Sequence, residues 1–107
     1  MSEVYYYCLH FSKKGILRYI SHLDLLRLFQ RAIRRADIPV VFSRGFHPIP
    51  KIKFERALKL GVESDDEKMY IKLILPLSCK ELIWRLNAQL PQGIRIKSGF
   101  KVSFNKA

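Results

Sequence analysis

The sequence predicts an α+β domain in which two helices cover one face of an antiparallel sheet. Apolar residues alternate with other residues in several short stretches, and they recur at helical spacing in two longer ones. Glycine and proline separate these stretches, so that predicted strands and helices follow one another along the chain. The length of 107 residues suits one domain, residues 1–107, and a hydrophobic content of 49% is enough to fill its core.

The first strand is predicted over residues 4–11, VYYYCLHF, where aromatic and apolar residues dominate. Side chains of a strand point alternately to its two faces. The set expected to face the core is Tyr5, Tyr7, Leu9 and Phe11. The set expected on the other face is Val4, Tyr6, Cys8 and His10, so that Tyr6 and His10 would lie on the open side of the sheet. The sequence SKKG at 12–15 is then expected to turn the chain.

The first helix is predicted over residues 22–37. Ser21 and Asp24 match a capping box, which marks the start of a helix. Its apolar stripe consists of Leu25, Leu26, Phe29, Ala32, Ile33 and Ala36. Arg27, Arg31, Arg34 and Arg35 fall largely on another side and form a basic ridge. The ridge suits phosphate binding, but a solvated ridge is the alternative, since cations in a last turn also suit the helix dipole.

Residues 39–75 are predicted to contain strands, a loop and a turn, because Pro39 ends the helix. The expected elements are a strand at 40–42 (VVF), a loop at 43–51 (SRGFHPIPK), a strand at 51–54 (KIKF) that 57–62 continues past a bulge, an acidic turn at 63–68 (ESDDEK) and a strand at 69–75 (MYIKLIL).

A second helix is predicted to start after Ser78, with Glu81 in the reciprocal capping position. Its stripe consists of Leu82, Ile83, Leu86 and Leu90. We expect Trp84 at the edge of the core rather than as a platform for stacking. A last strand is predicted at 94–104, broken at Gly99.

The resulting order is βαββαβ with an inserted loop or extra strand after the second strand. If both crossovers are right-handed, the two helices lie on one face of the antiparallel sheet, which is the ferredoxin-like architecture. RNA-recognition domains use the bare face of such a sheet to stack bases, although a fold by itself does not imply this function.

The loop at 43–51 is the most unusual stretch of the chain. Gly45 permits a tight turn, and Pro48 and Pro50 restrict the backbone, so the loop is expected to be stiff. Arg44, His47 and Lys51 would then project from it at little entropic cost, which suits binding. The alternative is a proline-rich connection without a ligand.

The net charge of +11 indicates an anionic partner. Nucleic acid is the first candidate, an acidic protein surface the second, and a solvated basic surface the third. A membrane partner is not expected, because no basic stretch has a continuous apolar face that the core does not use. Without a recognisable signal peptide or membrane span, we expect a cytoplasmic protein.

Few residues of the chain suggest catalysis. His10, His22 and His47 lack metal-type spacing, and Cys8 and Cys79 lie far apart, so neither a metal site nor a cofactor is expected. His22, at a helix start, and His47 are weak candidates for a general base that acts on an RNA 2′-hydroxyl. A locally packed or hydrogen-bonded histidine is the alternative for His22.

Several motifs resemble a bacterial family. They are KKGILRYISHLD at 13–24, RRADIP at 34–39, SRGFHPIP at 43–50 and LGVES at 60–64, and RLNAQLPQG at 85–93 is also similar. Together they resemble the radical-SAM-linked protein family, domains of unknown function that occur beside, or fused to, radical SAM proteins. The family's loop motif has a second histidine where this chain has Ile49, and family domains are typically longer, which leaves a shortened or partial member as an alternative.

The resemblance implies an accessory or RNA-associated domain. The radical SAM neighbour would carry the iron–sulfur cluster, since the two cysteines of this chain cannot supply three thiolates. The order of elements is also similar, at the level of the fold only, to CRISPR repeat-processing endoribonucleases.

We therefore expect a non-enzymatic RNA-binding accessory domain that acts with a radical SAM protein, with ribosomal or transfer RNA as candidate ligands. One alternative is a subunit that docks onto a radical SAM enzyme without contacting RNA, and another is a metal-independent endoribonuclease. The residues expected to contact nucleic acid are Arg18, Arg27, Arg31, Arg34, Arg35, Arg44, Phe46, His47 and Lys51, with Phe46 or Tyr6 stacking a base. The sequence leaves the oligomeric state open.

Overall fold

The computed structural model describes residues 3–102, which form a small α+β fold. The elements are β1 (Tyr5–Lys13), a 3-10 helix (Gly15–Tyr19), α1 (His22–Arg35), β2 (Ile52–Phe54), β3 (Ser64–Leu73), α2 (Cys79–Asn87) and β4 (Ile94–Val102). The four strands form one sheet in the order β2-β3-β1-β4, and every neighbouring pair is antiparallel. The predicted class, two helices with an antiparallel sheet, is confirmed.

The core lies between the helices and one face of the sheet. The predicted alternation of β1 is confirmed, since Tyr7, Leu9 and Phe11 are fully buried. Phe11 packs edge-on against Phe29 of α1 with ring centroids 5.0 Å apart, and Phe54 of β2 lies 5.7 Å from Phe29. Aromatic packing therefore joins α1 to two strands of the sheet.

Both helices begin where the capping patterns predict. The hydroxyl of Ser21 accepts the backbone N–H of Asp24 at 3.0 Å, and that of Ser78 accepts the N–H of Glu81 at 3.1 Å. The predicted end of α1 at residue 37 is wrong by two residues, because α1 ends at Arg35. Asp37 adopts a φ of 56°, a left-handed conformation that cannot continue a right-handed helix.

The predicted acidic turn at 63–68 is wrong. Ser64 begins β3, and most of the stretch is strand. The carboxylates of Asp65 and Glu67 form ion pairs with Lys14 and Arg56, and that of Asp66 contacts Nδ1 of His10 at 2.8 Å. Cations elsewhere in the fold therefore make strand structure compatible with this sequence. The turn predicted at 12–15 also starts later, since β1 extends through Lys13.

The predicted strand at 40–42 and the extension at 57–62 are wrong as well. Residues 40–42 form isolated bridges, Val40 with Leu73 and Phe42 with Pro50, and the strand after the loop is β2. Since Val40 pairs with Leu73 and Ile52 pairs with Ile71, the segment between Val40 and Ile52 leaves and rejoins the same edge of β3. The unusual loop therefore lies between two segments, one at Val40 and the other β2, that pair with the same side of β3.

The predicted break at Gly99 is wrong, because β4 continues to Val102 with a register irregularity just before this glycine. A Cβ at Gly99 would lie 2.6 Å from Cδ2 of Leu9, so glycine allows β4 to approach β1 closely. Trp84 is 70% exposed, contrary to the prediction of a place at the core edge. The final residues of the predicted strand, 103 and 104, lie outside the described part of the chain.

Candidate nucleic-acid interface

The arginine ridge of α1 faces solvent. Arg27, Arg31, Arg34 and Arg35 are all exposed, whereas the apolar stripe of α1 is buried at Leu25, Phe29, Ala32 and Ile33. Arg31 lies between two depressions of the surface. One, of about 160 Å³, is shared with Arg34 and Ile49, and the other, of about 450 Å³, with Arg35 and the chain that follows α2.

The loop that leaves the edge of β3 is closed by hydrogen bonds at its base. The N–H of Ser43 donates to the carbonyl oxygen of Ile49 at 2.8 Å, and the N–H of Ile49 donates to the Ser43 hydroxyl at 3.1 Å. Gly45 has a φ of 120°, a conformation that side-chain-bearing residues rarely adopt. The tip that results carries Phe46, which is 99% exposed.

One contact joins the ridge to the loop. The Arg34 guanidinium donates from Nη2 to the carbonyl oxygen of Pro48 at 2.6 Å and lies 5.9 Å from the ring centroid of Phe42. The end of α1 therefore lies against the loop at 43–51, and both segments carry exposed basic residues. We call this the α1–loop surface and define it as Arg27, Arg31, Arg34, Arg35, Arg44, Phe46, His47 and Lys51.

The cations of the α1–loop surface are barely neutralised. Arg27 lies 3.6 Å from the carboxylate of Asp24, and both side chains are exposed. For the other arginines of this surface and for Lys51, no carboxylate within residues 3–102 lies at ion-pair distance. Such a surface attracts polyanions, and guanidinium groups match phosphate geometry well.

Arg18 lies apart from the rest of the predicted set. It belongs to the 3-10 helix that precedes α1, where its guanidinium donates to the Gly15 carbonyl at 2.9 Å and to the Tyr19 hydroxyl at 2.9 Å. The length of α1, roughly 20 Å, separates it from Arg34 at the other end. Arg18 is therefore excluded from the α1–loop surface.

The two histidines considered for catalysis lie at different ends of α1. His22, half-buried, accepts the N–H of Leu58 at Nδ1 over 3.4 Å and packs against Phe54 with ring centroids 5.2 Å apart. His47 is exposed in the loop near Arg34. Arg34 itself lies roughly 18 Å from His22 along α1. Either histidine would therefore have to act without the other.

A buried polar cluster next to β1 was missed by the sequence analysis. Lys13 is 1% exposed, and its ammonium donates to the carbonyl oxygens of Lys59 at 2.7 Å and Arg18 at 3.4 Å. Glu67, also buried, accepts two hydrogen bonds from Arg56 and one from Ser64. Burial lowers the pKa of Lys13, and the Arg56 guanidinium holds the pKa of Glu67 below its ordinary value.

Hydrogen bonds of this cluster hold the segment at 55–63 against the sheet. It borders a cavity of about 320 Å³, and the Glu63 carboxylate next to it accepts the N–H of Gly15 at 2.7 Å. All buried side-chain polar atoms in the described residues have partners, which indicates a structural role. The only signal in the sequence was that Lys13, Glu63 and Ser64 belong to the two motifs KKGILR and LGVES.

The comparisons with known proteins identify the family. The family described as "Uncharacterized protein conserved in bacteria (DUF2344)" matches residues 6–106, and the chain belongs to it. No curated protein and no solved structure matches significantly. The family match carries no link to radical SAM proteins, which therefore stays a prediction.

Residues 3–102 contain neither a membrane-spanning helix nor a cluster of metal ligands. No helix there is both long and apolar enough to cross a membrane. In the same residues, no group of three or more His, Cys, Asp or Glu side chains is arranged to hold a metal ion.

Proposed function

We propose that this protein is a non-enzymatic RNA-binding domain with a ferredoxin-like fold. The strand order β2-β3-β1-β4 supports the fold, because each helix connects two strands that are separated by a third. The α1–loop surface would contact RNA phosphates, and Phe46 at the tip of the loop would stack on an unpaired base.

The observation that carries this proposal is the hydrogen bond between Arg34 and Pro48. It joins a ridge in which, among the described residues, only Arg27 has a carboxylate neighbour to a closed loop, so that their charges would act on one ligand rather than separately. The hydrogen bonds at the base of the loop restrict its backbone, which lowers the entropic cost of binding. Ribosomal and transfer RNA are candidate ligands because both offer closely spaced phosphates beside unpaired bases.

Titration of a labelled RNA stem-loop with single-stranded tails tests the proposal. The double variant Arg31→Gln/Arg35→Gln is expected to bind about tenfold more weakly than the unmodified chain, since each substitution removes a phosphate contact. Arg85→Gln is the matched control, because Arg85, like Arg35, lies in the last turn of a helix but is paired with Glu81 at 2.8 Å. Equal affinities for the double variant and the unmodified chain would contradict the proposal.

A second candidate function is docking onto an acidic surface of a radical SAM enzyme. A fully exposed phenylalanine at the tip of a basic loop also suits a protein interface. Affinity capture from cell extract distinguishes the two functions. Recovery of such an enzyme after nuclease treatment would favour docking, whereas recovery only while RNA is intact would favour RNA binding.

An endoribonuclease is the weakest of the three functions. The proposed RNA-binding role predicts equal RNA cleavage, or none, by the unmodified chain, His22→Ala and His47→Ala. Cleavage that either substitution abolishes would instead assign that histidine to catalysis.

A further inference from the structure

The face of the sheet opposite the helices carries an aromatic row that the α1–loop surface does not include. Residues directly opposite each other in an antiparallel pair share a face. Lys53 pairs with Tyr70, Tyr70 with Cys8, and Cys8 with Phe100, so these four side chains form one row across all four strands. Cys8 is only 1% exposed, which indicates that its neighbours in the row cover it.

An aromatic side chain of β1 lies next to this row. Tyr6 pairs with Lys72, so it lies diagonally from Tyr70, with Cα atoms about 7–8 Å apart. Phe100 remains 53% exposed at the far side. Rings at such spacing on the face of a sheet can provide platforms on which successive bases of a single strand stack.

Basic side chains border the aromatic rings. Tyr6 and Tyr70 line a groove of about 400 Å³ together with Lys51, Lys53 and Lys72. The ammonium of Lys72 lies 4.9 Å from the centroid of the Tyr6 ring. Because this side chain is long and flexible, a base that stacks on Tyr6 can displace the ammonium towards the adjoining phosphate.

The carboxylates on this face already have partners. Glu55 accepts the hydroxyl of Tyr70 at 2.7 Å, and Asp66 contacts Nδ1 of His10 at 2.8 Å. The three lysines that line the groove outnumber the Glu55 carboxylate beside Tyr70. The charge of the groove is therefore complementary to a nucleic-acid strand.

We propose that this open face is a base-stacking subsite for single-stranded RNA, with Tyr6, Tyr70 and Phe100 as platforms. The inference rests on the proposed function and adds the form of the ligand, unpaired rather than duplex RNA. Lys51 ends the loop of the α1–loop surface and also lines the groove. One strand can thus follow the β2 edge, with phosphates on the α1–loop surface and bases on the open face.

Fluorescence anisotropy with a labelled uridine-rich strand, alone and annealed to its complement, tests the inference. The single strand is expected to bind about tenfold more tightly than the duplex, and Tyr6→Leu and Phe100→Leu are each expected to lower its affinity about tenfold. Trp84→Leu is the matched control, because Trp84 is an exposed aromatic residue on the helix side and should leave binding unchanged. Thermal melts verify that each variant is folded.

The outcomes separate this inference from the proposed function. If Tyr6→Leu and Phe100→Leu bind the single strand like the unmodified chain, while Arg31→Gln/Arg35→Gln binds it weakly, the stacking subsite is overturned and the RNA-binding function stands. If the unmodified chain binds neither strand, both are overturned. Should Tyr6→Leu fail to fold, Lys53→Gln with Lys72→Gln replaces it, and unchanged affinity of that variant overturns the subsite.

Discussion

The carboxylates around the start of β3 contact side chains or a backbone N–H of other segments. The arginines at the end of α1, by contrast, have no carboxylate partner among the described residues. Four of the nine acidic residues lie at Glu63, Asp65, Asp66 and Glu67. They bind the backbone N–H of Gly15 and the side chains of Lys14, His10 and Arg56. In the α1–loop surface, by contrast, only Arg27 has a carboxylate neighbour among the described residues.

This difference shows that the net charge of +11 is unevenly distributed. Cations near β3 hold the fold together, and those near α1 are available to a ligand. Substitutions in the first region should therefore change stability more than binding, and substitutions in the second should do the reverse.

The largest expected effect in the paired region follows from Glu67→Ala. Loss of this buried acceptor leaves Ser64 and Arg56 without their partner, so the free energy of unfolding should fall by about 2 kcal/mol. Urea denaturation measures this change. RNA affinity of the folded variant should stay the same, and a change in affinity without loss of stability would contradict the division between the regions.

In the α1–loop surface, Phe46→Ser should weaken binding without affecting stability. The side chain is 99% exposed, so the free energy of unfolding should change by less than about 0.5 kcal/mol. Loss of one stacking platform should lower RNA affinity about fivefold, as measured by anisotropy. If the variant bound normally, Phe46 would have no role in RNA recognition.

Acid should weaken the paired region. Hydrogen bonds from Lys14 to Asp65, from His10 to Asp66 and from Arg56 to Glu67 hold the pKa values of these carboxyls below their ordinary values. The stability they contribute is present above the unfolded pKa values near 4 and is lost as pH falls through the lower folded values. Urea denaturation from about pH 5 downwards should show this decline. In Glu67→Gln the free energy of unfolding should fall less steeply with pH. An equally steep fall would show that Glu67 does not contribute to the acid sensitivity.

The smallest effect is expected at the exposed pair of α2. Glu81→Gln removes the ion pair with Arg85 and should cost about 0.4 kcal/mol of stability. It also leaves Arg85 without its partner. If free arginines bind RNA wherever they lie, affinity should rise, whereas a surface that depends on the joined ridge and loop predicts no change.

Signals close together in the sequence predicted much of this fold. Capping by Ser21 and Ser78, the buried stripe of α1 and the alternation of β1 each depend on spacing along a few turns or residues.

Features that depend on distant residues could not be predicted. The acidic stretch at 63–67 forms a strand because its partners, including Lys14 and Arg56, are supplied by other segments. The aromatic row of the open face, from Tyr70 to Phe100, requires the pairing register of three strands. The burial of Lys13 requires a carbonyl oxygen of Lys59, 46 positions away.

The most direct test of the central claim is the salt dependence of RNA affinity, compared between Arg31→Gln/Arg35→Gln and Arg85→Gln. If unpaired cations of the α1–loop surface bind phosphates, the logarithm of the association constant should fall steeply with the logarithm of salt concentration. For single-stranded RNA, the slope of this plot should be shallower in Arg31→Gln/Arg35→Gln by about 0.7 for each phosphate contact that the variant loses. In Arg85→Gln the slope should be unchanged. Equal slopes for the unmodified chain and both variants would contradict the account.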